Sequence, residues 1–254
     1  MDKDNLEAAE FLVKKGVNLN TIYKNGKTIL HEAVIDGYTR CIKMLIERGA
    51  NVNAIDKDGQ TPLHDLLYDY NEINHEFHLI RIKLLLEGNA DVNIKDHNGE
   101  TPFSQAILLN NSDIVKLFLE NGVDLNVKYK NGDTILHLAF NHSFLDITEM
   151  LLRKGFDVNA KNELDEIPLH AAIRKSKLNY IQLLLERGTD VIPADTVGWT
   201  SIHAAAYKGY VEVIRALLDK GADINAKNKD GKTPLDLAKE EKNQLCIDAL
   251  QNIR

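Results

Sequence analysis

Histidine is the first residue type here whose chemistry could matter. Five of the nine histidines, His31, His64, His137, His170 and His203, recur at one sequence register. A row of imidazoles could suggest metal, but successive members are 33 or more residues apart. That is too far to share an ion held at about 2 Å. The expected role is structural, each ring bridging backbone groups of neighbouring turns. His75-Glu76-Phe77-His78 sets two further histidines at i, i+3. The helical zinc-protease spacing would need the second at position 79, which is Leu79. Ala226-Lys227-Asn228-Lys229-Asp230-Gly231-Lys232-Thr233 fits a relaxed phosphate-loop pattern, with Ala where Gly is stricter. A phosphate loop follows a buried strand and opens a long helix, and no apolar strand precedes this one. Asn110-Asn111-Ser112 and Asn141-His142-Ser143 are glycosylation sequons by pattern only. There is no Gly-x-Ser-x-Gly elbow and no paired carboxylate constellation. The expectation is a non-enzymatic chain with no catalytic residue, metal or cofactor.

Composition agrees with that reading. The 254 residues carry 31 Lys and Arg against 38 Asp and Glu, a net charge of −7. A mildly acidic chain is poorly suited to a phosphate backbone, so no nucleic acid is expected. No apolar run approaches the ~20 residues of a membrane span, and no signal-peptide core follows Met1-Asp2-Lys3-Asp4. Two cysteines are too few for a disulfide framework. A cytoplasmic monomer without membrane attachment is expected, the alternative location being a host cytosol reached by secretion.

The positioning elements are read from a repeat. Asn25-Gly26-Lys27-Thr28-Ile29-Leu30-His31 recurs as Asp58-Gly59-Gln60-Thr61-Pro62-Leu63-His64 and again from Asn98, Asn131, Leu164, Val197 and Asp230. The Gly position falls at 26, 59, 99, 132, 165, 198 and 231, steps of 33 with a single step of 40. A second marker, the helix-ending Gly at 16, 49, 122, 155, 188 and 221 with Asn89 standing in once, shows the same irregularity. Asn/Asp-Gly makes a tight turn because Gly accepts positive φ. Thr61-Pro62 starts a helix whose buried stripe is Leu63, Leu66 and Leu67. A second helix carries Ile42, Leu45 and Ile46 at helical spacing and ends at Gly49. One such unit cannot bury its own apolar face, so units must stack. Cys41 and Cys246 share an otherwise apolar column and read as small buried hydrophobes.

These residues resemble the ankyrin repeat family, most strongly at Thr61-Pro62-Leu63-His64, at Pro168-Leu169-His170-Ala171-Ala172 and at Gly221-Ala222-Asp223-Ile224-Asn225-Ala226. The resemblance implies an all-α solenoid of stacked helix pairs with projecting β-hairpin loops. A single domain over 1–254 is expected: a partial unit at 1–24, repeats at 25–57, 58–97, 98–130, 131–163, 164–196 and 197–229, and a capping unit at 230–254. The opening fragment lacks a first helix, so it is either a degenerate cap or the cut end of a longer protein. Charge at Lys239-Glu240-Glu241-Lys242 suits a terminal polar face. The resemblance also implies that Asn20, Asn53, Asn93, Asn126, Asn159 and Asn225 could be asparaginyl-hydroxylase substrates; the simpler role is hairpin hydrogen bonding.

Resemblance implies a protein-binding module using hairpin tips and the inner helix face, its protein partner unidentified. Departures from the repeat locate the contact. The 40-residue unit carries seven extra residues between its helices near Tyr68–His78, with Tyr68 and Tyr70 as secondary contacts; a tolerated insertion is the alternative. One hairpin reads Val191-Ile192-Pro193-Ala194 where others read Val-Asn-Ala, and its tip holds Val197 and Trp199. The preceding tip has Leu164, with Asp165 in the Gly position and Ile167 in the Thr position. Leu164, Val197 and Trp199 should form one exposed apolar patch; alternatively Trp199 folds onto Pro193 or a neighbouring helix. Arg174, Lys175 and Lys208, with Tyr207 beside them, should make the late inner face basic where Asp36 and Asp69 make it acidic earlier. The rival reading is a structural segment of a larger scaffold, or a host-directed effector of an intracellular microbe.

Overall fold

The computed structural model describes residues 7, 10–11, 13–70, 72–129 and 132–252. Expectations for Met1–Leu6, Asn71, Asn131 and the last two residues lie outside them. Fourteen α-helices are present among the described residues, with no strand longer than an isolated bridge. They form seven pairs: α1 (Ile29–Ile35) with α2 (Thr39–Glu47), α3 (Pro62–Tyr68) with α4 (His75–Glu87), and α5 (Pro102–Leu108) with α6 (Ser112–Leu119). The series continues with α7 (Ile135–His142) and α8 (Leu145–Lys154), α9 (Pro168–Arg174) and α10 (Leu178–Glu186), α11 (Ser201–Lys208) and α12 (Val211–Asp219), and α13 (Pro234–Glu240) with α14 (Gln244–Gln251). The chain divides into two compact units, Met1–Asp124 and Leu125–Arg254.

Helices this short are unstable alone. They persist because each buries one stripe against its neighbours: within each compact unit first helices stack on first helices and second on second, as α9 does on α11 and α10 on α12. Leu30, Leu63, Leu136, Leu169 and Ile202 are fully buried along the first-helix row, as are Ile42, Ile82, Ile114, Ile147 and Ile214 along the second. Cys41 and Cys246 are buried in the same layer, and burial pushes the Cys246 thiol up.

The seven extra residues do not remain a loop. They form a 3-10 turn, Glu72–Asn74, and lengthen the following helix to 13 residues against 8 to 10 in the other second helices. Tyr70 is part of that packing. Its hydroxyl meets His75 Nδ1 and accepts from Asn111 Nδ2, both at 3.0 Å, and its ring stands edge-on to His78. His78 is buried and its Nδ1 lies 3.0 Å from the Asn74 carbonyl.

The threonines do not all cap as their position suggests. Thr101 and Thr233 accept from the helix amides of Ser104 and Asp236. Thr28, Thr61, Thr134 and Thr200 instead join a clamp. The Thr backbone N–H donates to the Nδ1 of the following histidine, and the hydroxyl lies 2.8–2.9 Å from the same nitrogen. A backbone N–H can only donate, so Nδ1 accepts and the ring proton sits on Nε2. Nε2 then reaches a carbonyl of the next unit: His31 to Gln60, His64 to Glu100, His137 to Glu166 and His203 to Lys232. Two further links join neighbours. Tip amides donate to tip carbonyls, as Lys57 to Asn25 and Lys229 to Val197. Exit-loop asparagines bridge the next exit loop: Asn53 Nδ2 donates to the Asn89 carbonyl while its Oδ1 accepts from Asp91, and Asn93 does the same with Gly122 and Asp124.

Candidate partner-binding site

In three of the repeats of the Leu125–Arg254 unit the turn residue just after the Gly position pairs with the residue eight places on, in the last turn of the first helix. Glu166 pairs with Arg174, Trp199 with Tyr207 and Lys232 with Glu240. The spacing follows from the fold: the tight turn folds the chain back beside its own helix, so these two positions face each other. The result is an aromatic rung flanked on each side by an ion-pair rung.

This geometry decides between the two readings of Trp199 and gives Arg174 a partner. Trp199 does not join an exposed patch. It is half-buried, set edge-on to Tyr207 with ring centroids 5.4 Å apart and tilted against His203 at 6.4 Å. It packs on the helix of its own unit, because at i+8 the Tyr207 ring offers an aromatic partner. Nor is Arg174 a free cation. Its guanidinium is bound to Glu166, whose other oxygen lies 3.3 Å from Asn162 Nδ2. Lys175 and Lys208 are exposed, with no partner among the described residues. Leu164 and Val197 are open to solvent at the tips, 50% and 56% exposed. Thr196 N–H donates to the Leu164 carbonyl, which ties the two tips together. In the other unit Tyr68 is 84% exposed, with Ile73 and Phe77 also exposed nearby.

The same turn is where the clamp fails. Ile167 has no hydroxyl, so His170 Nδ1 is met by the Ile167 amide alone. Nε2 has no hydrogen-bond partner, although the ring is only 4% exposed. The equivalent carbonyl, that of Trp199, accepts the Asp195 amide, as the Gln60, Glu100, Glu166 and Lys232 carbonyls accept theirs, but it makes no bond with His170 Nε2. The Pro193 carbonyl lies close enough to favour the protonated ring, yet outside hydrogen-bond geometry. Burial dominates and holds the imidazole neutral, its pKa down to about 4. The altered exit loop matters too, since Ile192 stands where an asparagine would bridge.

Glu166, His170, Arg174, Asp195, Trp199, Ala204, Tyr207 and Lys208 line a hollow of about 210 Å³ between α9 and α11. His170, Glu166 and Asp195 were not expected there. The substituted Ile167 and Ile192 were the available signal, because both remove a polar group that other units use. A larger hollow of about 430 Å³ lies between α10 and α12, and contains none of the expected contact residues. In the 226–233 turn the Asn228 side chain accepts from the Asp230 and Lys232 amides, and Lys232 is engaged with Glu240. The loop amides a phosphate would need are thus already used. Among the described residues no three His, Cys, Asp or Glu side chains cluster as metal ligands.

The ankyrin repeats family (3 copies) matches at residues 1–76, 73–162, 108–195 and 169–253. The chain belongs to the ankyrin-repeat family. Among solved structures it is similar to the crystal structure of the ankyrin repeat domain of Bcl-3, described as a unique member of the IkappaB protein family. The TM-score is 0.77 and the identity 27%, over 90% of this chain and 100% of that one. No curated protein matches it. Among the described residues of this ankyrin protein no helix is long and apolar enough to cross a membrane. Ankyrin repeats are generally protein–protein interaction modules.

Proposed function

We propose that this ankyrin protein is a non-enzymatic, cytosolic binding module. Its protein partner would sit on the tips and first-helix face of the Leu125–Arg254 unit. The observation that carries the reading is the pair of linked, solvent-facing apolar tips, Leu164 and Val197, beside the rung formed by half-buried Trp199 and exposed Tyr207. Exposed apolar side chains at linked tips, next to an aromatic anchor, have the composition of an interface centre. Lys175 and Lys208 supply the rim, with Arg174 held in place by Glu166. A preformed surface gives up little entropy on binding. Tyr68 and the apolar residues near it form a secondary surface, to which Tyr70 contributes packing.

The test is affinity capture from a cytosolic extract with mass-spectrometric readout. Wild type is compared with a Leu164→Asp/Val197→Asp variant of unchanged circular dichroism. A partner captured by wild type and lost by the variant supports the reading. A partner retained by both moves the site away from these tips.

A further inference from the structure

Helix α4 is apolar on two faces. Its inner stripe, Ile82, Leu85 and Leu86, is buried in the stack. A second stripe, Phe77, Ile80 and Leu84, follows i, i+3 and i+7 on the side turned away from it. Phe77 and Ile80 are 55% and 47% exposed, and Ile73 in the 3-10 turn just before the helix is exposed as well. Ile80 takes the register position that holds Arg40, Asp113, Asp146, Asn179 and Glu212 in other units, all of them exposed and polar. A helix that is apolar all round is ordinarily a buried one, so the outer stripe of α4 is a face without its cover. Glu76, Lys83 and Glu87 run along one edge of the stripe, exposed and without an ion-pair partner among the described residues. On the other edge Arg81 is turned to α2, its Nε donating to the Thr39 hydroxyl. The pattern has a centre. Phe77 and Leu84 are seven residues apart, and so are Glu76 and Lys83, and both pairs are centred within half a residue of Ile80. Across that centre the charge changes sign.

We propose that the cover is a second copy of this chain, the two α4 helices packing antiparallel about a two-fold axis at Ile80. A two-fold contact applies one patch to itself, so the patch must be self-complementary. This one is. Phe77 meets Leu84 of the second copy, Ile80 meets its own equivalent, and Glu76 meets Lys83 of the second copy on the same edge, twice over by symmetry. A uniformly acidic or basic partner would satisfy one end of the Glu76–Lys83 edge and oppose the other. An anionic lipid surface would meet Glu76 and Glu87. A crossing of about 50°, the commonest for packed helices, sets Arg40 of α2 and Asp113 of α6 aside from their own copies. One helix face per copy lies at the low end of specific interfaces, so the dimer is weak and reversible. The inference rests on reading the surface near Tyr68 as a contact and names its occupant; the Leu164 and Val197 tips take no part.

The test is analytical ultracentrifugation of the full chain from about 5 to 500 µM, bracketing an expected dimer Kd of about 10–100 µM. Ile80→Glu places a residue type that the same register position already holds at Glu212, and should leave the circular dichroism melt unchanged. It sets two carboxylates against each other at the axis and should raise the Kd more than about tenfold. Glu76→Lys faces Lys83 of the second copy and should raise the Kd about fivefold, the scale of two exposed ion pairs. Adding Lys83→Glu to it reverses the edge and should bring the Kd back to within about twofold of wild type, which a non-specific apolar patch would not do. A chain still monomeric at about 500 µM, a dimer untouched by Ile80→Glu, or a double variant no better than Glu76→Lys overturns the proposal. A monomeric chain that loses a captured protein on Ile80→Glu keeps the surface near Tyr68 as a contact and removes self-association. A monomeric chain whose captured proteins all survive Ile80→Glu removes both.

Discussion

The turn at Thr28–His31 and the turn at Ile167–His170 have the same backbone plan and opposite outcomes. In the first, the imidazole is saturated: the Thr28 amide and hydroxyl meet Nδ1, and the Gln60 carbonyl meets Nε2. In the second, with Ile167 in place of the threonine, a single bond to Nδ1 is left. The charged groups nearby differ in the same sense. Lys27 is drawn between Asp56 at 3.3 Å and Asp65 at 2.7 Å, a cluster that lies largely buried in the face. Burial alone would pull the Lys27 pKa down, but the two carboxylates more than offset it and the net shift is upward. Arg174 is half-exposed at the mouth of a hollow. One turn spends its polar groups on cohesion, and the other holds one in reserve. The contrast teaches that in a repeat scaffold the joint between two repeats can be loosened by subtraction, through the loss of a structural partner.

Acid should act on every rung of the comparison, and it is the largest effect expected. Burial holds both His137 and His170 at a pKa of about 4, below the ordinary 6.5. His31, His64 and His203 are lowered by burial as well. A base with a depressed folded pKa binds its proton first in the unfolded chain. Its stability contribution is therefore complete above about pH 7 and is lost as pH falls through 6.5 toward 4. The two most shifted rings should each forfeit roughly 2–3 kcal/mol over that window. Urea midpoints measured from pH 8 to pH 4 should be flat above pH 7 and drop steeply below 6. A midpoint that rises on acidification would contradict the neutral clamp.

Replacing the rings one at a time separates the two turns. His137→Leu strands the Thr134 amide and hydroxyl and removes the bond to the Glu166 carbonyl, and should cost about 3 kcal/mol. His170→Leu strands one amide only and removes a donor that had no partner, so about 1 kcal/mol is expected. Equal losses in chemical denaturation would show that the reserve at His170 is not real. The smallest effect is a gain. Asp165 holds a left-handed conformation, φ 56°, where other units place Gly. Its ion pair with Lys161, 3.5 Å apart and exposed, offsets little. Asp165→Gly should raise stability by about 0.5–1 kcal/mol, visible as a higher denaturation midpoint.

The scaffold was legible because its causes are local. The 33-residue step, the positive-φ position and the apolar stripes each follow from backbone conformation and helical period, and the buried leucine and isoleucine rows lie where those stripes put them. The histidine role was legible for the same reason, a fixed offset from Thr to His. Less legible was whatever depended on two side chains meeting across the turn. Trp199 was read either as part of an exposed patch or as folded onto Pro193 or a neighbouring helix, and Arg174 as part of a basic face, yet each has a partner eight places away. That spacing carried a usable signal, opposite charges at Glu166/Arg174 and Lys232/Glu240, but it belongs to neither helical nor strand periodicity. The insertion was read as a loop because length alone does not reveal that His75–Glu87 continues as one helix.

The joint between the 164–196 and 197–229 stretches keeps its tip bond, but lacks both the histidine link and the asparagine link. In a linear array, cooperativity passes from one unit to the next only through such interfaces. A partner lying on the first-helix face would touch α9 on one side and α11 on the other, and so bridge this joint from outside. Occupancy and cohesion are then thermodynamically linked: by mass action the ligand adds its binding free energy to this coupling. The partner in effect becomes the missing stitch, and α11 to α14 are held to the rest of their unit more tightly with it than without.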